Sequence, residues 1–174
     1  MALPKLIRSL VLLQCAYSLV SSEWIDMSYL YDNKTLTWGE MIPFKHTVVL
    51  EGKFNEHVPY LSMFNLEMSE HSGTHVDAPL HFAKGKWSVD EIPLEHLIGE
   101  AIVVDISAKA SKDRNAQLSV EDLHLWEKKH ERIPKICILL VLSGWGKYWP
   151  NYEKYFGTNS TKNTSDYQFP GEFK

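Results

Sequence analysis

The feature that most constrains this chain is a histidine-rich segment, residues 71–82, with the sequence HSGTHVDAPLHF. It holds three of the eight histidines of the chain, together with one aspartate. His71 and His75 would share one face of a helix, but Gly73 and Pro79 disfavour a helix here. The alternative is a strand end that curls into a tight turn around Gly73.

Such a turn would bring His71, His75 and Asp77 to one point. Asp77 follows His75 by two residues, so in extended backbone both side chains would point the same way. Neutral imidazole nitrogens and a carboxylate oxygen are donors that suit borderline divalent ions. We therefore expect a divalent metal, zinc or manganese, at these residues. The alternative is that the histidines are ordinary surface or core side chains.

The remaining pattern predicts a mixed α/β fold. Residues 102–106 and 136–142 are apolar runs with the length of buried strands. Between them, Ser119 is placed to cap a helix that continues through Lys129, with Asp122 at the third helical position. Strand, helix and strand in that order suggest a βαβ-like unit inside a larger sheet. Three further strands are expected earlier in the chain, at residues 24–31, 46–50 and 60–68.

The amino-acid composition limits the classes of protein to which this chain can belong. The chain has 174 residues, of which 44% are hydrophobic and 23% charged, and these proportions are typical of one globular domain. The formal net charge is −4, and no stretch concentrates lysine and arginine. A nucleic-acid partner is therefore not expected, because binding a run of phosphates requires a basic surface.

The first 22 residues have the pattern of a signal peptide. Lys5 and Arg8 precede an apolar run, residues 10–20, and small residues follow it. The run is shorter than the roughly 20 apolar residues that span a bilayer. We expect cleavage after residue 22, a secreted domain at 23–174 and no membrane association after cleavage. The alternative is a retained signal anchor.

Three Asn-x-Ser/Thr triplets agree with a secretory route. They predict glycosylation at Asn33, Asn159 and Asn163. Cys137 would be the only cysteine of the mature chain. We expect it to be buried in the strand at 136–142, and a reactive free thiol is the alternative.

The histidine-rich segment also resembles a known family. HSGTHVDAPLHF matches the HxGTHxDxPxHF signature of the cyclase-like metal-dependent hydrolases, which include bacterial kynurenine formamidase and isatin hydrolase. Residues 24–28 are similar to the first strand of that family, residues 98–106 to the strand after the motif, and residues 142–145 to a TGW-like turn. The resemblance implies an α/β fold with a mixed sheet of the swivelling β/β/α type, and a homodimer.

The resemblance also implies roles for individual residues. His71, His75 and Asp77 would be metal ligands, with Asp77 able to bridge two ions. His81 would be the general acid/base, and Trp38 would stack on the substrate. Trp38 has core packing as its alternative. The implied reaction is metal-dependent hydrolysis of an aryl formamide such as N-formylkynurenine, or of a related small amide, as in the conversion of tryptophan to kynurenine.

The chain departs from the family pattern at its end. Family members continue beyond a segment similar to residues 167–171 and add a late histidine and glutamate that complete a metal pair. We therefore expect a sheet that is incomplete at the C-terminus. Two alternatives to an active enzyme follow: a truncated isoform with impaired catalysis, and a secreted module that binds metal or a ligand.

Overall fold

The computed structural model describes residues 23–171. The predicted signal peptide, residues 1–22, lies outside the described residues, and so do residues 172–174. Among residues 23–171, no helix is both long enough and apolar enough to cross a membrane.

The first half of the described chain contains a β-hairpin. Strand β1 (Lys45–Gly52) pairs antiparallel with β2 (Leu61–Glu67), and a register shift falls between Val48 and Leu50. The pairing is closed at one end by an ion pair in which Lys45 Nζ lies 2.9 Å from Glu67 Oε2. Most side chains of both strands are exposed, so the hairpin is held mainly by its own ladder of hydrogen bonds.

The second half contains a parallel strand pair connected through helices. Strand β3 (Ala101–Asp105) pairs with β4 (Ile138–Leu142) in register from Ala101 opposite Ile138 to Asp105 opposite Leu142. The connection contains the short helix α1 (Ser107–Ala110) and the longer helix α2 (Val120–Lys129). A third helix, α3 (Tyr152–Phe156), follows β4. Single turns of 3-10 helix lie at Pro79–His81, Val89–Glu91, Leu94–His96, Trp145–Tyr148 and Thr164–Asp166.

The hydrophobic core lies between β3 and helix α2. Alternate residues of β3 point inward, as the two-residue period of a strand requires, and α2 covers that face. The Trp126 indole of α2 also donates a hydrogen bond from Nε1 to the Val103 carbonyl oxygen at 2.9 Å. The buried cluster consists of Ile102, Val104, Ile106 and Leu118.

The structure confirms the mixed α/β class and four of the five expected strands. It also confirms the strand–helix–strand unit and the capped helix after Ser119. In residues 23–171, however, the strands form two separate two-stranded sheets rather than one larger mixed sheet. Cys137 is half-buried and precedes β4 instead of lying within it.

The strand expected at residues 24–31 is wrong. This segment has no strand partner within the described residues, and its apolar side chains are exposed, with Trp24 at 98% and Leu30 at 78%. An apolar run is a strand only where a neighbouring strand takes its backbone hydrogen bonds. Here Tyr29 and Tyr31 instead make contacts with the histidine-rich segment.

Those contacts hold the histidine-rich segment in place. The Gly73 amide donates to the Leu36 carbonyl oxygen at 3.0 Å, and the Tyr29 amide donates to Thr74 Oγ1 at 2.9 Å. The Tyr31 hydroxyl lies between the carbonyl oxygens of Ser72 and Thr74. The residues preceding the hairpin therefore fix the turn that precedes His75.

The cap of helix α2 generates a stability prediction. Ser119 Oγ accepts a hydrogen bond from the Asp122 amide at 3.3 Å, and Asp122 Oδ2 accepts one from the Ser119 amide at 2.7 Å. Lys109 Nζ lies 2.8 Å from the same Asp122 oxygen. Burial raises the pKa of Asp122, but the hydrogen bonds from Lys109 and Ser119 outweigh burial and leave the pKa below its ordinary value.

We expect Asp122→Ala to lower the free energy of unfolding by about 1–2 kcal/mol near pH 7. A carboxyl with a lowered folded pKa stabilises the fold above its unfolded pKa of about 3.9, and this stabilisation is lost as the pH falls through the folded value. The difference between wild type and variant should therefore shrink below about pH 4 in denaturant unfolding. Glu121→Ala, an exposed acid in the same turn, is the control. A difference that does not depend on pH would contradict the role of the carboxylate.

The turn at Gly73 generates a second prediction. Gly73 has φ +59°, and a Cβ placed there would lie 2.9 Å from Tyr31 Cε1 and 3.1 Å from Thr35 Cγ2. Gly85 is a matched control, since it has φ +76° but would place its Cβ in open space. Both alanine variants carry the backbone cost of about 1–2 kcal/mol, and Gly73→Ala should lose about 1–3 kcal/mol more from the clash. Equal unfolding free energies for the two variants would show that Tyr31 does not constrain this turn.

Candidate metal and ligand site

Asp77 is the centre of the site. Its Oδ1 lies 2.9 Å from Nδ1 of His71 and 3.3 Å from Nε2 of His75. The turn at Gly73 places the two histidines on either side of this oxygen, and no helix is needed to bring them together. The structure thus brings together the three residues that the sequence analysis singled out as metal ligands.

The partners of His75 show what this arrangement requires. Its Nδ1 lies 3.0 Å from the Gly73 carbonyl oxygen, which can only accept a hydrogen bond, so Nδ1 carries the proton. In the neutral ring, Nε2 then presents a lone pair to Asp77 Oδ1. Two acceptors face each other, and a cation between them would satisfy both. A histidine whose second nitrogen donates to a backbone carbonyl is also the usual form of a metal ligand.

His81 completes the group from the 3-10 turn Pro79–His81. Ligand atoms of His71, Asp77 and His81 all lie within 4.8 Å of one another. The rings of His71 and His81 have centroids 4.1 Å apart, whereas those of His71 and His75 are 5.4 Å apart. The geometry therefore offers two candidates, His75 and His81, for the third ligand beside His71 and Asp77.

The group opens into a cavity of about 380 Å³. Four residues of the site, His71, His75, Asp77 and His81, line it. The rest of the wall is largely aromatic, which suits a flat apolar ligand. The aromatic lining residues are Trp38, Phe82, Trp149, Tyr155, Phe156 and Phe169.

Trp38 both lines the cavity and packs against other rings. Its indole meets the ring of Tyr167 edge-on with centroids 5.0 Å apart, and it makes similar contacts with Phe156 and Phe169. Its exposed fraction is 38%. The position of Trp38 therefore allows both alternatives, contact with a substrate and packing against neighbouring rings.

The sequence analysis missed the far wall of the cavity. Trp149, Tyr155, Phe156 and Phe169 come from the region of helix α3 and the loop after it. The available signal was aromatic density, since the segment 145–156 reads WGKYWPNYEKYF and is half aromatic. A high content of aromatic residues does not show which of the rings line a cavity whose other residues lie about 70 positions earlier in the sequence.

Burial raises the pKa of the Tyr155 hydroxyl, and the neighbouring Tyr29 phenol adds to the rise. The hydroxyl is consequently protonated across the physiological range. Trp149, beside it, stacks on the ring of Tyr29 with centroids 4.4 Å apart. This wall of the cavity is thus neutral and held by ring contacts.

Curated relatives support a common origin with this chain over part of its length. It is 32% identical to the kynurenine formamidase of Bacillus cereus over 105 residues, which cover 60% of this chain and 47% of the relative. It is 33% identical to the kynurenine formamidase of Bacillus cytotoxicus over 91 residues, which cover 52% of this chain and 42% of the relative. The chain spans about half the length of the curated relatives it matches.

Solved structures share the fold. Isatin hydrolase A from Labrenzia aggregata superposes with a TM-score of 0.73 at 28% identity, over 93% of this chain and 65% of that one. Isatin hydrolase A from Ralstonia solanacearum gives a TM-score of 0.71 at 24% identity, over 99% of this chain and 66% of that one.

A family model covers nearly the whole described chain. The model of the Cyclase family, described as "Putative cyclase", matches residues 25–171 and includes the complete histidine-rich segment. This chain therefore belongs to the Cyclase family.

Proposed function

We propose that this chain hydrolyses the amide bond of a small aromatic amide in a metal-dependent reaction, with an aryl formamide such as N-formylkynurenine as the type of substrate. The observation that carries the proposal is the position of Asp77, which faces two imidazoles in the lining of an aromatic cavity. The site combines donors for a divalent ion with a surface for a flat ring. Amide hydrolysis uses both.

The donor set fits zinc or manganese. His71, His75 and Asp77 would hold the ion, because the His75 Nε2 lone pair and Asp77 Oδ1 already face each other across 3.3 Å. A divalent ion held there would supply Lewis acidity to the amide carbonyl and lower the pKa of water. These residues contain only nitrogen and oxygen donors, which both metals accept.

The protein residues supply orientation and proton transfer. The Gly73 carbonyl holds the His75 ring in one tautomer, and Asp77 Oδ1, 2.9 Å from His71 Nδ1, holds the His71 ring in position. His81 lies beside His71 on the exposed side of the group, where its ring nitrogen can move a proton to the departing amine nitrogen. The aromatic wall binds the ring of the substrate and keeps its amide next to the imidazoles.

The relatives agree with this choice of substrate class. The curated relatives described above are kynurenine formamidases, and the solved structures described above are isatin hydrolases. The Labrenzia aggregata enzyme was solved with benzyl benzoate bound, an aromatic ester. An aromatic carbonyl compound is therefore the ligand class that the cavity and the relatives both favour.

A second candidate function is capture of metal or ligand without turnover. The specific observation in its favour is that His81 shares the closest group of ligand atoms with His71 and Asp77. If His81 holds the ion, the remaining histidine is His75, whose Nδ1 lies against the Gly73 carbonyl oxygen and whose Nε2 lies against Asp77 Oδ1. Neither nitrogen of that ring is then placed to move the proton to the leaving nitrogen. The roles of His75 and His81 therefore distinguish the two candidates.

The proposal also covers the location, the glycosylation and the oligomeric state of the protein. We infer a secreted glycoprotein that forms a homodimer with the swivelling β/β/α arrangement of its family. The asparagines of the three glycosylation triplets, Asn33, Asn159 and Asn163, are all exposed, which supports modification. Intact-mass measurement of the secreted protein before and after glycosidase treatment tests this part.

Metal content and hydrolysis measured on the same variants test the proposed roles. His75→Ala should lose bound zinc or manganese and N-formylkynurenine hydrolysis together, because it removes a ligand. His81→Ala should retain the metal and lower kcat by about 100-fold or more, since general acid–base catalysis contributes roughly 10²–10⁴-fold. His57→Ala, an exposed histidine of the hairpin turn, should change neither.

Three outcomes would contradict the proposal. Loss of metal in His81→Ala with retention in His75→Ala would make His81 the third ligand and favour the second candidate. Metal binding by the wild type without any hydrolysis would also favour capture over catalysis. Absence of zinc and manganese from wild-type protein purified without chelators would contradict the proposed metal site.

A further inference from the structure

Tyr29 contacts both parts of the cavity wall, although it is not itself one of the lining residues. Its main-chain amide donates a hydrogen bond to Oγ1 of Thr74, a residue that lies between two lining residues of the histidine-rich segment. Its ring stacks on the indole of Trp149, a lining residue of the far wall, with centroids 4.4 Å apart and planes inclined by 11°. One residue therefore connects the turn that carries the imidazoles to the far wall.

The hydroxyl end of the Tyr29 ring lies against the turn that precedes Trp149. A Cβ placed on Gly146 would overlap the Tyr29 hydroxyl, and the next nearest atom would be Tyr29 Cζ at 3.7 Å. The Gly146 carbonyl oxygen accepts a hydrogen bond from the Trp149 amide at 3.0 Å, so the same turn receives the Tyr29 ring and presents the indole. The missing Cβ of Gly146 thus leaves the space that the Tyr29 hydroxyl occupies.

The stacked contact orders a ring of the far wall. Tyr29 supplies the stacked neighbour of Trp149, while Tyr155 meets the same indole edge-on with centroids 5.9 Å apart. Stacked and edge-to-face ring pairs stabilise a fixed geometry beyond the effect of buried area alone. A wall that is already ordered loses less conformational entropy when a ligand binds. Loss of the Tyr29 ring would therefore loosen the far wall without removing any donor of the metal site.

We propose that Tyr29 is a positioning residue that holds Trp149 in place for binding of the aromatic ring of the substrate. This inference rests on the proposed function, because it takes the cavity as the place where an aromatic amide binds. It also gives a role to residues 24–31, the segment that does not form the predicted strand. Tyr29 acts through Trp149 and not by contact with the substrate.

Two substitutions at one contact test the proposal. Gly146 has no positive φ, so its backbone accepts alanine, and the new Cβ should displace the Tyr29 ring. Gly146→Ala should therefore weaken binding of acetanilide, a neutral aromatic amide, by about two- to tenfold in ligand-observed NMR titrations of the zinc-loaded full chain, the factor that one ring pair is worth. Tyr29→Phe keeps the stack and removes the hydroxyl that the Cβ would overlap. The double variant should therefore recover the affinity of Tyr29→Phe alone. Gly99→Ala, whose Cβ would lie in open space, is the control.

Tyr29→Leu removes the stack directly and tests the proposal even if Gly146→Ala does not fold. It should weaken acetanilide binding and leave zinc affinity unchanged, because the hydrogen bond to Thr74 comes from the main-chain amide. In N-formylkynurenine hydrolysis, it should raise KM with little change in kcat, since binding of the ring is affected and proton transfer is not. Tyr60→Leu, at an exposed tyrosine just before β2, should change none of these quantities.

The outcomes separate the role of Tyr29 from the proposed reaction. Unchanged acetanilide affinity in Tyr29→Leu would overturn the proposal, and so would a wild type that does not bind acetanilide. A double variant as weak as Gly146→Ala, or equal loss of zinc and acetanilide affinity, would show a general structural effect and would also overturn it. Loss of acetanilide binding that Tyr29→Phe suppresses supports the proposal even if N-formylkynurenine is not hydrolysed, a result that would contradict only the proposed reaction.

Discussion

The site depends on hydrogen bonds between two segments that have almost no regular secondary structure. The histidine-rich segment is held by the residues before the hairpin. The Gly73 amide donates a hydrogen bond to the Leu36 carbonyl oxygen, and Thr74 Oγ1 accepts one from the Tyr29 amide. Their regular structure amounts to one isolated β-bridge, Thr37 with Ser72, and the single 3-10 turn Pro79–His81. The positions of the imidazoles therefore follow from a few long-range contacts, and a single Cβ at Gly73 would disturb them.

Those contacts produce an electrostatic arrangement that favours a positive charge between His75 and Asp77. With Nδ1 donating to the Gly73 carbonyl oxygen, a neutral His75 ring presents its Nε2 lone pair to a carboxylate oxygen of Asp77. Two acceptors at this distance repel unless a cation or a proton lies between them. The same loop that carries this pair also forms the edge of an aromatic cavity. The proposed metal chemistry and the proposed recognition of a flat ligand would thus be coupled through one turn of the chain.

The sequence predicted the regular elements well where local pattern and burial agree. The alternation in β3 and the Ser119 cap are local signals, and tertiary packing reinforced both. Residues 24–31 had the apolar character of a strand but no partner within the described chain, so their backbone stayed irregular. For the site, the spacing of the histidines predicted the group around Asp77. The tertiary contacts that bring Trp149 and Tyr155 to the same cavity have no periodic signature in the sequence.

The proposed site is a divalent metal centre that the turn around Gly73 builds from imidazole and carboxylate groups. X-ray absorption at the zinc edge, on the full chain loaded with one equivalent of zinc, tests it most directly. We expect a first shell of nitrogen and oxygen alone at about 2.0–2.1 Å, with the outer-shell scattering of about two imidazoles. A sulfur ligand, a shell without imidazole scattering, or zinc that dissociates during gel filtration would contradict it.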